Sequence, residues 1–357
     1  MPLERRSDGK RAESRGFQED DLYHPQGSNQ ESSGNDVIQW TANARLQPFA
    51  VERTSGAYET AQISDIQYVQ ENDYQARESL LQVAERARRE HVTNSNTIYE
   101  WYQKRNEPIS VPNINAYNAK YLTHLRRISK ENSNVRSYIK DIDKESETHK
   151  TIEKWKNKPR ALVRCFYRAV TRDAKKESMP TKAGLHINLN PEYATNVFKY
   201  ANELVDQNKY VRSTKIAGPE AMLERKENMF VYLVTDDETV ATSIARDLYS
   251  SCGEHCFISF DDGFSMKKEV APGIRYAEQY SVKEKEPSYG RSRTNAIEEA
   301  TKLYEQEKEK YKWSLAQELS YEEVDGQLAV WFQTTILPAV LRAHRIDPNH
   351  PYKNLRA

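Results

Sequence analysis

Between Pro159 and Tyr280, short β-forming runs alternate with amphipathic helical stretches, yet no regular strand–helix–strand rhythm is sustained. That pattern favours an α+β fold over a doubly wound parallel sheet. The runs "RALVRCFYRAV", "GLHINLN", "VRSTKIAG", "NMFVYLVTDD", "HCFISFDD" and "IRYAEQY" read as strands. In the second, Leu185, Ile187 and Leu189 alternate with His186, Asn188 and Asn190. A strand shows successive side chains to opposite faces, so the odd positions are expected on a core and the even ones opposite it. Taken alone, His186 reads first as part of a solvated strand face.

The helices between these runs carry their own punctuation. "PEYATNVFKYANELVDQ" has Pro191 in its first turn, and "ETVATSIARDLYSSCG" ends on Gly253, as helix starts and stops favour. A long helix is expected from about Thr294, and "QLAVWFQTTILPAVLRAH" reads as a final apolar helix. Upstream, "ARESLLQVAERARREH", "TIYEWYQKRN" and "NAKYLTHLRRISKEN" carry helical patterns, which predict a helical subdomain over 59–157. Residues 158–357 then form the α+β domain with C-terminal helices. Residues 1–58 are polar and poor in aliphatics. They bury too little apolar surface to offset ordering entropy, and disorder is expected there.

Composition narrows the function classes. The chain has 357 residues with a formal net charge of +0, which argues against bulk attraction to nucleic acid or an anionic membrane. No run of about 18 apolar residues occurs, so no membrane span is expected. "MPLERRSDGKRAESRGFQEDD" lacks the apolar stretch of a general secretory signal. The three cysteines give no disulfide framework. Cys252 and Cys256 in "CGEHC" lack the further ligands a zinc site needs, so neither metal nor cofactor is expected. No GxGxxG, Walker, HExxH or GxSxG pattern is present.

Basic residues occupy unusual places. Arg168 lies within the first strand pattern, His186 in the second and Lys215 in the third. Arg225 precedes the strand that carries Tyr232, and Arg291 and Arg293 open the long helix in "SYGRSRTN". A helix N-terminus favours acidic residues, so arginines there point to an anionic partner. Arginine suits bidentate phosphate contact. For each residue singly, surface solvation remains the simpler reading in a chain that is 30% charged.

Six segments in order, "RCFYRAVTRD", "LHINLNPEYA", "STKIAGPE", "FVYLVTDDETVATSIARDL", "GIRYAEQY" and "SYGRSRTNAIEEA", resemble the HopA family of bacterial type III secretion effectors. The resemblance spans about Arg164 to Ala300 and extends weakly to "RAHRIDPNHPY". It implies a mixed sheet with flanking helices, similar to phosphothreonine lyase effectors and to lyase components of lanthipeptide biosynthesis. It also implies Lys215 as the base that removes a Cα proton, His186 as the acid that protonates the leaving phosphate, and Tyr232 beside them. Arg168, Arg225, Arg293 and Lys182 would bind phosphate. The lyases carry a lysine two residues before the histidine, where this chain has Gly184.

The implied reaction is β-elimination of phosphate from phosphothreonine or phosphoserine, without a metal. Free lysine is protonated at neutral pH, so a lysine base needs burial and neighbouring cations. The leaving phosphate needs a proton and charge neutralisation. The partner would be a phosphorylated protein or peptide in a host cell, with a secretion chaperone at the N-terminus. Two alternatives stand beside this reading. One is a non-catalytic phosphoprotein-binding module; the other is a cytoplasmic peptide-modifying lyase of lanthipeptide type.

Overall fold

A computed structural model of the chain describes residues 63–132, 134–137, 166–260, 266–279, 288–315 and 319–356. The expectations for residues 1–58, and the segment between the helical and α+β regions, lie outside these.

The described residues begin with three helices, α1 (Ile63–Arg89), α2 (Ser95–Gln103) and α3 (Ile114–Glu131). Strand β1 (Val135–Ser137) follows, then β2 (Phe166–Thr171) and the short α4 (Ala174–Ser178). Next come β3 (Ala183–Ile187), α5 (Ala194–Gln207), β4 (Val211–Ala217), α6 (Pro219–Glu224), β5 (Met229–Leu233) and α7 (Glu238–Cys252). The hairpin β6 (Lys268–Ala271) and β7 (Ile274–Glu278) precedes α8 (Tyr289–Leu315), α9 (Tyr321–Trp331) and α10 (Leu337–Ala343). The strands form one seven-stranded sheet in the order β1-β2-β4-β5-β3-β7-β6. Each pairing is antiparallel, so the α+β class holds while the sheet is antiparallel rather than mixed.

The alternation in β3 sets its two faces as the sequence reads, but neither is solvated. Ala183, Leu185 and Ile187 are fully buried. They share a core with Val197, Phe198 and Ala201 of α5 and with Ala241, Ile244 and Leu248 of α7. β3 lies between β5 and β7, and His186 on its opposite face is only 8% exposed. Asp237 caps α7 by accepting hydrogen bonds from the Thr239 and Val240 amides, and Gly253 ends that helix at φ 87°. That left-handed backbone is open to glycine at little cost.

The N-terminal helices share cores with the rest. Tyr121 and Leu125 of α3 join the sheet core. Leu80, Val83, Ile98 and Tyr102 pack in a second core with Ala296, Ile297 and Ala300 of α8 and with Leu337 and Leu341 of α10.

Four sequence expectations shift. "HCFISFDD" adds no strand to the sheet among its described residues; only Phe257 bridges Leu189. β6 lies in the charged run "MKKEVA", whose polar residues hid it. The long helix starts at Tyr289 rather than near Thr294. The final helix is interrupted by a π-turn at Phe332–Ile336, just before Pro338, which has no amide to donate to the helical ladder.

Gly290 lets α2 approach α8. A Cβ there would lie 1.5 Å from the Tyr102 Oη and 2.6 Å from its Cζ. Tyr102 is itself buried, so the ring has little room to yield. Helix propensity alone predicts that Gly290→Ala stabilises by up to about 1 kcal/mol. We expect a net loss of about 1–3 kcal/mol from the clash, read as a lower midpoint in thermal or urea unfolding.

Candidate functional site

The strand register brings separated residues into one row. Arg168 pairs Lys215 across β2 and β4, and Lys215 pairs Phe230 across β4 and β5. Phe230 pairs His186 of β3, and His186 pairs Arg275 of β7. Directly opposed residues of antiparallel strands project from the same face. Arg168, Lys215, Phe230, His186 and Arg275 therefore line that face in order. Neighbouring strands lie about 4.8 Å apart, so Lys215 and His186 are separated by about 10 Å at Cα, with Phe230 between them.

The middle of this row is a half-open aromatic floor. The Lys215 Nζ sits 4.5 Å from the Phe166 ring centroid and 5.8 Å from that of Phe230. The Arg225 guanidinium lies 5.0 Å from Phe166, and that of Arg168 lies 5.5 Å from Tyr232. Tyr232 stacks on Phe230, with an interplanar angle of 12°. Cations over ring faces are attracted by the ring quadrupole. The structure thus brings Arg168, Lys215, Arg225, Tyr232 and His186 around one floor.

His186 is built in from below. Its Nδ1 is 3.0 Å from Glu227 Oε2, and the Lys267 ammonium hydrogen-bonds the other carboxylate oxygen. Glu227 and Lys267 are both buried. The imidazole meets Phe230 edge-on at 5.1 Å and Tyr289 at 5.7 Å. Its Nε2 points the other way, 3.6 Å from where a Cβ on Gly184 would stand.

Backbone pairing puts Glu227 there. The fully buried Asn228 accepts from the Leu189 amide at 2.8 Å and donates to the Leu189 carbonyl at 3.0 Å. Its side chain thus continues the pairing past the end of β3. On the other side, the Lys226 amide donates to the Gln103 carbonyl, and Arg105 to Glu224. The loop that carries Arg225 and Glu227 is therefore held from two directions.

The electrostatics follow from burial and neighbours. Burial, together with Lys267, holds His186 below its ordinary value, and Glu227 opposes only part of that shift. Burial also pushes Lys267 down to about 8, with Arg275 and Arg293 adding to the effect against Glu227. Burial alone would raise Glu227, but Lys267 and His186 hold it well below the usual carboxylate range. The group is therefore an anionic carboxylate between a lysine and an imidazole.

Two expected phosphate ligands have partners of their own. Arg293 is fully buried behind Tyr289. It donates to the carbonyls of Pro351 and Lys353 and to the Asn354 side chain. It thus ties the C-terminal tail to α8, which compensates for a cation at a helix start. Arg291 makes a 2.5 Å hydrogen bond to Asn96. Lys182 is exposed, 3.7 Å from Asp236, at the β3 entrance. Glu227 and Lys267 had no sequence signal, since each stands in a mixed-charge run that reads as solvated surface, and Arg275 sits in the expected strand "IRYAEQY" with nothing local to mark it.

Among the described residues no group of three or more His, Cys, Asp or Glu is placed to hold a metal. Cys256 contacts the Cys252 carbonyl at 3.1 Å, and burial pushes the Cys252 thiol up to about 12. No helix among the described residues is long and apolar enough to cross a membrane.

The antiparallel sheet flanked by helices is the fold of bacterial effector structures. It is similar to the effector protein from Pseudomonas syringae pv. syringae strain 61, at 21% identity and a TM-score of 0.57, covering 80% of this chain and 99% of that one. It is similar also to the effector from P. syringae pv. tomato strain DC3000, at 18% identity and a TM-score of 0.59, covering 80% and 100%. A search of curated proteins found no match. The HopA1 effector protein family matches residues 158–353, and the chain belongs to that family.

Removing one member of the Glu227–Lys267 pair leaves a buried charge alone. We expect Glu227→Gln and Lys267→Met each to cost about 3 kcal/mol in urea unfolding. The double variant should cost less than the sum by about 1–3 kcal/mol, and an additive result would contradict the pairing.

Proposed function

We propose that the protein is a phosphothreonine or phosphoserine lyase-like effector that eliminates phosphate from a phosphoprotein of a host cell. The observation that carries this reading is the single row in which Lys215 and His186 flank Phe230, with Arg168 and Arg225 on the same floor. β-Elimination needs a base at Cα and an acid at the departing oxygen, several ångströms apart on one side of the substrate. Lys215 removes the Cα proton through its amine nitrogen. The electron pair forms the Cα–Cβ double bond, the Cβ–O bond breaks, and His186 gives the phosphate its proton. Arg168 and Arg225 neutralise the phosphate, and Tyr232 supports Arg168 through its ring face. The product is dehydrobutyrine or dehydroalanine, which a kinase cannot rephosphorylate.

Membership of an effector family supports delivery into a host cell, with the export signal and chaperone contact in residues 1 to about 60. A second reading rests on Gly184. Without a cation two residues before His186, the floor would hold a phosphoprotein without turning it over.

The deciding experiment is mass spectrometry of a phosphothreonine peptide incubated with the protein. Elimination removes about 98 Da, whereas hydrolysis removes about 80 Da, because only elimination takes the oxygen as well. We expect the 98 Da loss, and its absence in Lys215→Ala. Unchanged mass, with phosphopeptide binding weakened by Arg168→Ala, would favour the binding module.

A further inference from the structure

We propose that Glu227 is the positioning residue of His186: its carboxylate fixes the imidazole proton on Nδ1 and turns Nε2 into the slot above Gly184, where that nitrogen exchanges a proton with the substrate's phosphate. This rests on the lyase reading above and names the atom through which His186 would act.

The argument starts from hydrogen-bond inventory. An ionised carboxylate only accepts, so the imidazole nitrogen facing it has to donate. Glu227 faces Nδ1 at 3.0 Å, and Lys267 on its other oxygen keeps it ionised. Nδ1 therefore carries a proton in either charge state, and Nε2 is the nitrogen that titrates. The ring is clamped between Phe230 and Tyr289, which prevents a flip that would exchange the two nitrogens.

The groups facing His186 come from every element packed on it. Glu227 arrives from the loop before β5, Lys267 from the segment before β6, Arg275 from β7, and Tyr289 and Arg293 from α8. Phe230 from β5 is apolar. Burial, with Lys267 and Arg293 adding to it against Glu227, biases the resting ring toward neutrality. A phosphate arriving at Nε2 supplies a second anion and favours the imidazolium. Binding thus loads the acid with a proton from solvent. Elimination then transfers that proton to the phosphate, Lys215 keeps the Cα proton until product leaves, and His186 returns to its neutral form.

Gly184 makes the slot. An alanine methyl there would touch Nε2 at 3.6 Å and the Val231 carbonyl at 3.6 Å. Those are ordinary contacts, so Gly184→Ala folds. It fills the space a phosphate oxygen needs to reach Nε2.

The test is nitrogen NMR of the His186 ring in the full chain, titrated with inorganic phosphate, together with turnover of a phosphothreonine peptide. In the wild type, Nδ1 is protonated and Nε2 bare, and phosphate raises the His186 pKa. Glu227→Gln/Lys267→Met removes both buried charges together; it should give mixed tautomers and a weakened phosphate response. Its kcat should fall about 100-fold with KM within about twofold. Glu227→Asp should restore the tautomer and part of kcat. Gly184→Ala should keep the wild-type tautomer and lose the phosphate response. A merely structural Glu227 would lower the folded fraction and leave the proton on Nδ1 in the molecules that fold. A proton on Nε2 in the wild type, or an unmixed Nδ1 tautomer in the double variant, overturns the proposal. A correct tautomer that responds to phosphate, in a protein that eliminates nothing, overturns the lyase reading and leaves the positioning role standing.

Discussion

The buried carboxylate of Glu227 lies between a lysine and an imidazole, and the arrangement of the site follows from it. An isolated buried charge costs several kcal/mol, so Glu227 has to be matched where it stands. Lys267 matches it from the segment leading into β6, and His186 matches it from β3. The three side chains therefore link the centre of the sheet to its far edge. Breaking any one of these links would free the others to move.

That linkage depends on backbone pairing being right first. Asn228 closes the end of β3 with its side-chain amide, and the segment after α2 pairs the loop from the other side. Only with both in place does Glu227 point at Nδ1 while Phe230, three residues on, takes its position in the sheet. The floor of Phe166, Phe230 and Tyr232 then carries its cations on ring faces.

Much of this was legible from local pattern, and the rest was not for one physical reason. Period-two alternation placed His186 opposite Leu185 and Ile187, because the strand's pleat fixes faces within a few residues. Whether that second face met water depended on Tyr289 of α8 and on Lys267 just before β6, both far from His186 along the chain. Glu227 in "RKENMF" and Lys267 in "MKKEVA" look like solvated charges, since each finds its partner 40 positions distant. The row from Arg168 to Arg275 is a property of strand order, which short-range spacing does not encode. Arg293 shows the reverse case: a helix-start arginine that sequence reasoning assigned to an anion instead satisfies three acceptors of the C-terminal tail.

The central claim is that one substrate residue spans the floor between Lys215 and His186. The most direct measurement is a crystal structure of the Lys215→Ala protein with a phosphothreonine peptide. The proposed elimination requires the phosphate between the Arg168 and Arg225 guanidiniums with its bridging oxygen at His186 Nε2, and Cα above the space the amine has left. A phosphate seated away from this floor, or a peptide whose Cα faces His186 instead, would contradict it.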